Sequence, residues 1–378
     1  MERTLSRLPG VFRFITGDRC GMGVAMKIGL VRRGYSGTGG AEAYLFRFAE
    51  AARAAGHETV VFGSAEWTGA DCEKIIIAGR TPREFADALA ASEPRKSCDL
   101  LFSLERVWEC DAFRAGDGVH ASWLERRARF EAWWRPLFRG FQRKHREILA
   151  MERALFTGCA KRIIANSAMV REEIVSRFST PRDRIAVVHN GLPPVRHDDT
   201  ARERTRAALG IAPQQYVVLF TGSGWERKGL RFAIEALPED ALLLVAGEGS
   251  RRGLPSREGV RFLGGQNRAQ VDALIAAADA FVLPTLYEPF SNACLEALAA
   301  GLPVITTNAN GFAEIIEPGV EGEVLEPGDV PALREALARW SDPARRTAIR
   351  PGLVERGAQF SIERNLRETL AAIGVSSS

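Results

Sequence analysis

Two cations after a glycine-rich turn, and two glutamates on either side of a helix start, are the residues in this chain with the clearest chemical use. Arg227 and Lys228 end the run Thr221-Gly-Ser-Gly-Trp-Glu-Arg-Lys-Gly229. The run follows a strand-like segment, and the pair is expected to open a helix. Two fixed cations beside a helix N-terminus suit a diphosphate, whose charge must be balanced as it leaves. Two solvated surface residues would read the same way. Glu288 and Glu296 lie in Tyr287-Glu-Pro-Phe-Ser-Asn-Ala-Cys-Leu-Glu296, where a helix is predicted from near Ser291. Glu288 falls in the preceding loop, free to point into a cleft. Glu296 stands among Ala, Cys and Leu on a helix that reads as buried nearly all round. A carboxylate there is costly unless hydrogen-bonded. Sugar hydroxyls could supply those bonds, and so could backbone groups.

Two further loops carry candidates. Gly34-Tyr-Ser-Gly-Thr-Gly-Gly-Ala-Glu42 joins the first predicted strand to a helix starting near Gly40. Glycine lets backbone approach a ligand, and a helix N-terminus favours an anion; a tight turn with no ligand is the alternative. Gly37 and Gly39 give G-x-G, but Glu42 stands where a dinucleotide fingerprint needs its third glycine, which disfavours a nicotinamide dehydrogenase. Asp117, between Gly116 and Gly118, follows a predicted strand end at Arg114-Ala-Gly116. It could take a proton or orient a substrate, or simply hold its own turn. His120 is the alternative base, or a cap for the following helix.

The elements that must position these loops are short Val/Ile/Leu runs alternating with helical patterns. Strands are expected at Lys27–Val31, Thr59–Phe62, Lys74–Ile77, Asp99–Ser103, Arg162–Ala165 and Ile185–His189. A linker rich in Pro and charge follows at Gly191–Asp199. The alternation resumes at Tyr216–Thr221, Ala241–Ala246, Val260–Leu263, Ala280–Leu283 and Val304–Thr306. Such continuous apolar strands imply α/β architecture: two doubly wound, Rossmann-like domains, with ligands off the carboxyl ends of the strands.

Bulk properties narrow the function. A net charge of +4 over 378 residues is too weak to argue for nucleic acid. The six cysteines form no C-x-x-C pair and read as scattered thiols of a reducing cytoplasm. No apolar run reaches the length of a membrane span. Residues 1–25 make a poor signal peptide and read as a leader or disordered tail. Between Trp123 and Arg153, nine Lys and Arg face four Glu, interleaved with Trp and Phe. That composition suits an anionic membrane surface, or a fold in which the aromatics face the core.

The pattern E-P-F-x-x-x-x-L-E-A-L-A-x-G-L-P-V-I from Glu288 onward resembles the E-x7-E signature of the family 4 retaining glycosyltransferases of the GT-B fold. The glycine loop, the Arg-Lys pair and the segment Asn310-Gly-Phe312 with Glu314 stand in the order that family has. The resemblance runs from about Met26 to the end. Within the family, Ala115–His120 and the aromatic-basic stretch resemble lipopolysaccharide core glucosyltransferases. The resemblance implies an acceptor-binding domain over 26–192, a nucleotide-sugar domain over 193–356, and a last helix over 357–378 that crosses back. It implies that Gly39 and Gly40 approach the donor, that Arg227 and Lys228 hold the diphosphate, and that Glu288, with Pro289, Phe290, Ser291 and Asn292, binds the sugar. Glu296 would bind the ribose, and Asp117 would lie near the reacting centre. The implied co-substrate is UDP-glucose, or alternatively GDP-mannose or an ADP-heptose, with a glycan or glycolipid acceptor. Ser291, where many relatives carry glycine, puts sugar identity in doubt. No D-x-D occurs, and no metal or other cofactor is implied. A nucleotide-cofactor oxidoreductase and a non-catalytic binding protein are the rival readings.

Overall fold

Strands apolar on both faces are stable only where helices cover both sides of a parallel sheet. The computed structural model, which describes residues 25–34, 40–67, 73–130, 143–194 and 200–375, has two such sheets. The first is built from β1 (Lys27–Val31), β2 (Glu58–Gly63), β3 (Glu73–Ile76), β4 (Leu100–Ser103), β5 (Cys110–Ala115), β6 (Ala160–Ala165) and β7 (Ile185–Val187). Their order is β3-β2-β1-β4-β5-β6-β7, every pairing parallel. The second holds β8 (Val217–Thr221), β9 (Leu242–Ala246), β10 (Val260–Gly264), β11 (Ala280–Leu283), β12 (Val304–Thr307) and β13 (Gly322–Leu325). Its order is β10-β9-β8-β11-β12-β13, again parallel.

Each sheet reverses its winding once, between β1 and β4 and between β8 and β11. A crevice opens at the carboxyl ends of strands where winding reverses. The glycine loop follows β1, and Glu105 and Arg106 follow β4. Arg227 and Lys228 follow β8, and Glu288 follows β11. The pairing of Ala280 with Val218 and Phe281 with Leu219 sets the last two loops side by side.

Only the carboxyl end of β5, near Arg114-Ala-Gly116, is expected from the sequence, and β13 falls outside that expectation altogether. β5 carries Asp111 and Arg114 and so lacks an apolar signature; Asp111 pairs with Arg95 and Lys161, and Arg114 is buried against Tyr44. β13, Gly-Glu-Val-Leu, is a short edge strand at the margin of the second sheet. The leader 1–24 and Pro193–Asp199 beyond residue 194 lie outside the described residues.

The last helix, Ile362–Ile373, leaves the second domain and packs on the first. Ile362, Leu366, Leu370 and Ile373 join the core formed by Leu30, Phe48 and Phe102. Leu192 and the approach to this helix exchange main-chain bonds, Leu192 N to Phe360 O at 2.9 Å and Ile362 N to Leu192 O at 2.9 Å. Ser361 caps the helix by accepting from Arg364 N at 3.2 Å. Leu370→Ala is therefore expected to cost about 2–5 kcal/mol of stability, as for other buried leucines. Urea unfolding measures it, and a loss below about 1 kcal/mol would mean that this helix adds little to the core.

Candidate active site

The turn after β8 needs glycine: Gly222 has φ +123° and Gly224 +77°. Gly222 also makes room for the Lys228 stem, since a Cβ there would sit 2.7 Å from Lys228 Cε. The expected placement of the cations at a helix start is corrected here. Arg227 and Lys228 end a four-residue helix, Trp225–Lys228, and the next begins at Leu230. Gly229, at φ +72°, separates the two helices because a Cβ would strike Pro284 O at 1.9 Å. The neighbouring loop pins this turn. The Arg227 carbonyl accepts from Thr285 Oγ1 and Leu286 N, each at 2.8 Å.

Glu288 joins the two cations. Arg227 Nη2 lies 3.2 and 3.1 Å from its two carboxylate oxygens, and Lys228 Nζ lies 3.1 Å from Oε2. Glu288 is held on both sides by main chain: its N donates to Ala309 O and its O accepts from Gly311 N, both at 2.9 Å. Ser291 caps the helix Asn292–Ala299 by accepting from Cys294 N at 3.2 Å. Asn292 is exposed at its first turn. Phe290 is buried, its ring 5.8 Å from that of His189 and 6.1 Å from that of Phe312. Glu296 lies on a largely buried helix, as expected, with its side chain 16% exposed, and it is already paired with Arg268, whose other partner is Asp272 at 2.9 Å. Burial pushes the Glu296 carboxyl up, and Arg268 opposes that shift.

The first domain contributes the turn after β5. Gly39 lies outside the described residues, and Gly40 opens the helix Gly40–Ala54. Asp117 is exposed, with Arg106 Nη1 3.6 Å from its Oδ2. Gly118, φ +68°, presses on the second domain; a Cβ there would lie 2.4 Å from the Tyr287 hydroxyl and 2.6 Å from Pro289 Cγ. The Asp117 turn thus touches the residues flanking Glu288. His120 does not cap its helix with its ring. Glu152, fully buried, does so instead, accepting from His120 N at 2.7 Å, Ala121 N at 3.1 Å and Arg106 Nη2 at 3.3 Å. The His120 ring stands 2.9 Å from His145 Nδ1. Burial first, then Arg106, pushes His120 down to about 4, so it is neutral at pH 7 and a weak base.

Tyr287, Glu152, Arg106 and Arg268 escaped the sequence reading. Glu152 alone carried a usable signal, an acidic residue next to Met151 and three residues before Leu155. Tyr287 bridges the domains: Val119 N donates to its hydroxyl at 2.8 Å, and that hydroxyl donates to Glu173 at 2.9 Å. Glu314 does likewise from the second domain, accepting from Ala168 N at 2.9 Å at the start of the helix Ala168–Phe178. In the aromatic-basic stretch, Trp123 stacks on Tyr287 at 6.5 Å, Phe130 meets Phe232 at 5.8 Å, and Arg127 pairs with Glu226 at 3.2 Å. These residues pack against the second domain. Arg143, Lys144 and Arg146 stay exposed, and 131–142 lies outside the described residues. Among the described residues no helix is long and apolar enough to cross a membrane.

Two family models match the chain: Glycosyltransferase Family 4 over residues 38–196 and Glycosyl transferases group 1 over 201–350. An uncharacterized glycosyltransferase of Methanocaldococcus jannaschii is 34% identical over 44% of this chain and 47% of its own length. The chain thus spans about half the length of the first curated relatives it matches. The lipopolysaccharide glucosyltransferase WaaG of Escherichia coli K12 is 27% identical over 82% of this chain and 91% of its own. Among solved structures, WaaG, a glycosyltransferase involved in lipopolysaccharide biosynthesis, superposes with TM-score 0.77 at 25% identity, covering 92% of this chain and all of that one. Anabaena HepE in complex with UDP-glucose has TM-score 0.68 at 20% identity, covering 92% of this chain and 100% of that one, a likeness of fold.

The low His120 value has a measurable consequence. An unfolded chain protonates this ring near 6.5, the folded chain only near 4. Between those values the unfolded state binds more protons, so stability is complete above 6.5 and falls as pH drops toward 4. His120→Gln removes that titration and is expected to flatten the acid limb of stability across this window. Urea unfolding from pH 7 to pH 4 tests it; identical slopes in both proteins would show that the ring titrates normally.

Proposed function

The chain belongs to the family 4 glycosyltransferases of the GT-B fold, and on that premise we propose that it is a retaining hexosyltransferase using a nucleotide sugar. The observation that carries this reading is the meeting of two half-sites. The Asp117 turn of one domain lies against Tyr287 and Pro289 of the other, on either side of Glu288 with its two cations. Such a site offers positive charge for a diphosphate next to carboxylates for a sugar and its acceptor.

The chemistry follows from the pairing. Glu288 pairs with both Arg227 and Lys228 and leaves one positive charge over. A donor diphosphate competes for those cations and frees Glu288 to accept bonds from sugar hydroxyls. Departure of the nucleoside diphosphate is then stabilised by fixed charges. The family attacks from the face the leaving group departs, with the leaving phosphate assisting; Asp117 would orient the acceptor or accept its proton. Glu296 would bind the ribose by exchanging its bond to Arg268. Because Arg227 and Lys228 supply the charge, we read transfer as needing no divalent metal. Similarity to WaaG favours glucose from UDP-glucose and a lipopolysaccharide core or other cell-envelope glycan, with GDP-mannose and ADP-heptose as the alternative donors. Exposed Arg143, Lys144 and Arg146 support peripheral contact with an anionic membrane at its cytoplasmic face.

A thermal-shift panel of UDP, GDP, ADP and CMP sugars assigns the donor, because a ligand of the native state raises its melting temperature. UDP-glucose is expected to give the largest shift, undiminished by EDTA. Arg227→Ala and Lys228→Ala should each lower turnover about 10²–10³-fold with the fold intact. Asp117→Asn should lower it about a hundredfold while nucleotide affinity stays near wild type. Wild-type turnover in the Arg227 and Lys228 variants would remove the diphosphate assignment.

A further inference from the structure

Arg114 is a buried charge that nothing above employs. It lies near the carboxyl end of β5 and is 7% exposed. Its Nη1 donates to the Tyr44 hydroxyl at 3.1 Å and its Nη2 to Asn190 Oδ1 at 2.7 Å. Its guanidinium carbon lies 3.9 Å from the Tyr44 ring centroid. All these partners are neutral. Among the described residues no carboxylate pairs with Arg114, whereas Arg206, equally buried, has Asp279 at 2.7 Å. A buried cation without a counter-ion is costly, and an anionic ligand would supply the missing charge.

Its surroundings say which ligand. Asn190 passes the contact across the cleft, its Nδ2 donating to Asn292 Oδ1 at 2.7 Å. Asn292 opens the helix that follows the Glu288 loop, and Ser291 caps it. On the other side Tyr44 stands in the first turns of the helix that Gly40 begins. Two helices, one from each domain, are thus linked to this guanidinium near their amino ends, one directly through Tyr44 and the other through Asn190 and Asn292. Helix N-termini favour anions, and a planar guanidinium binds phosphoryl oxygens in pairs.

We propose that Arg114 is the first domain's anion-binding residue and meets the donor diphosphate from the side opposite Arg227 and Lys228. The inference rests on the donor reading above and adds a residue to it. A diphosphate held from both domains would also bring the two half-sites together as the donor binds. A phosphorylated acceptor is the other source of such an anion, and the measurements below separate the two.

The test titrates UDP, inorganic diphosphate and uridine calorimetrically into wild type, Arg114→Gln, Arg114→Lys, Asn190→Asp and Arg227→Ala. Arg114→Gln keeps hydrogen-bonding capacity but loses the charge, and is expected to weaken UDP and diphosphate about tenfold or more. Uridine binding should not change. Arg114→Lys restores the charge and should recover most of the affinity. Asn190→Asp supplies the missing counter-ion, so it should raise the melting temperature while weakening UDP. Should Arg114→Gln fail to fold, the Lys and Asn190→Asp variants still decide the matter: UDP affinity unchanged by Asn190→Asp overturns the proposal. Wild-type UDP affinity in Arg114→Gln, with Arg227→Ala weakened, makes Arg114 structural or places its anion on the acceptor, and overturns it as well. If Arg227→Ala also binds UDP normally, the donor reading itself fails.

Discussion

Two cations and one carboxylate share a cleft, and the rest of the site is arranged around that imbalance. Glu288 is nearly buried and touches both Arg227 and Lys228. A lone carboxylate or a lone cation in that place would be expensive. Together they are tolerable, and one positive charge is left over to attract an anion. Catalysis by fixed charges requires that they not reorganise when the reaction occurs. The main-chain bonds of Glu288 to Ala309 and Gly311, and those of the Arg227 carbonyl to Thr285 and Leu286, hold both partners of the pair.

The same loop joins the two domains. Tyr287 precedes Glu288 and reaches across to Val119 and Glu173. Burial and the nearby Glu173 carboxylate raise its phenol well above the ordinary value, so it remains a proton donor at any relevant pH. Glu314 caps a first-domain helix from the second domain, and Arg127 pairs with Glu226. These contacts are polar and local, closer to a transient interface than to a shared core. Two of them adjoin residues of the site: Tyr287 lies next to Glu288 and its partner Val119 two residues from Asp117, and Glu226 lies next to Arg227. Any change in how the domains meet is therefore felt at the reacting groups.

Charge in the first domain is arranged differently. Arg106 links exposed Asp117 to buried Glu152, and Glu152 in turn holds the helix N-terminus at His120. Near them Glu105 is raised by burial against the pull of Arg32. Asp117 therefore sits on a braced turn, as its proposed role in orienting an acceptor would require.

Local order was legible in the residues themselves. Apolar runs too continuous for a half-exposed sheet announced parallel strands, and glycines at Gly222, Gly224 and Gly118 announced turns that no side chain would permit. Ser291 announced the start of its helix. β13 and all but the end of β5 stayed hidden because their polar residues are paired or lie at an edge, facts that belong to neighbours distant in the chain. The cations, Glu288 and Glu296 were visible as types in a spacing. That Glu288 faces Arg227 and Lys228, and Glu296 faces Arg268, followed only from β8 lying beside β11 and from the helix at Arg268 packing nearby. Arg106, Glu152, Tyr287 and Arg114 had no local pattern that marked them as a set. Their partners lie tens of residues away, and a buried charge reveals its purpose only when everything that surrounds it is in place.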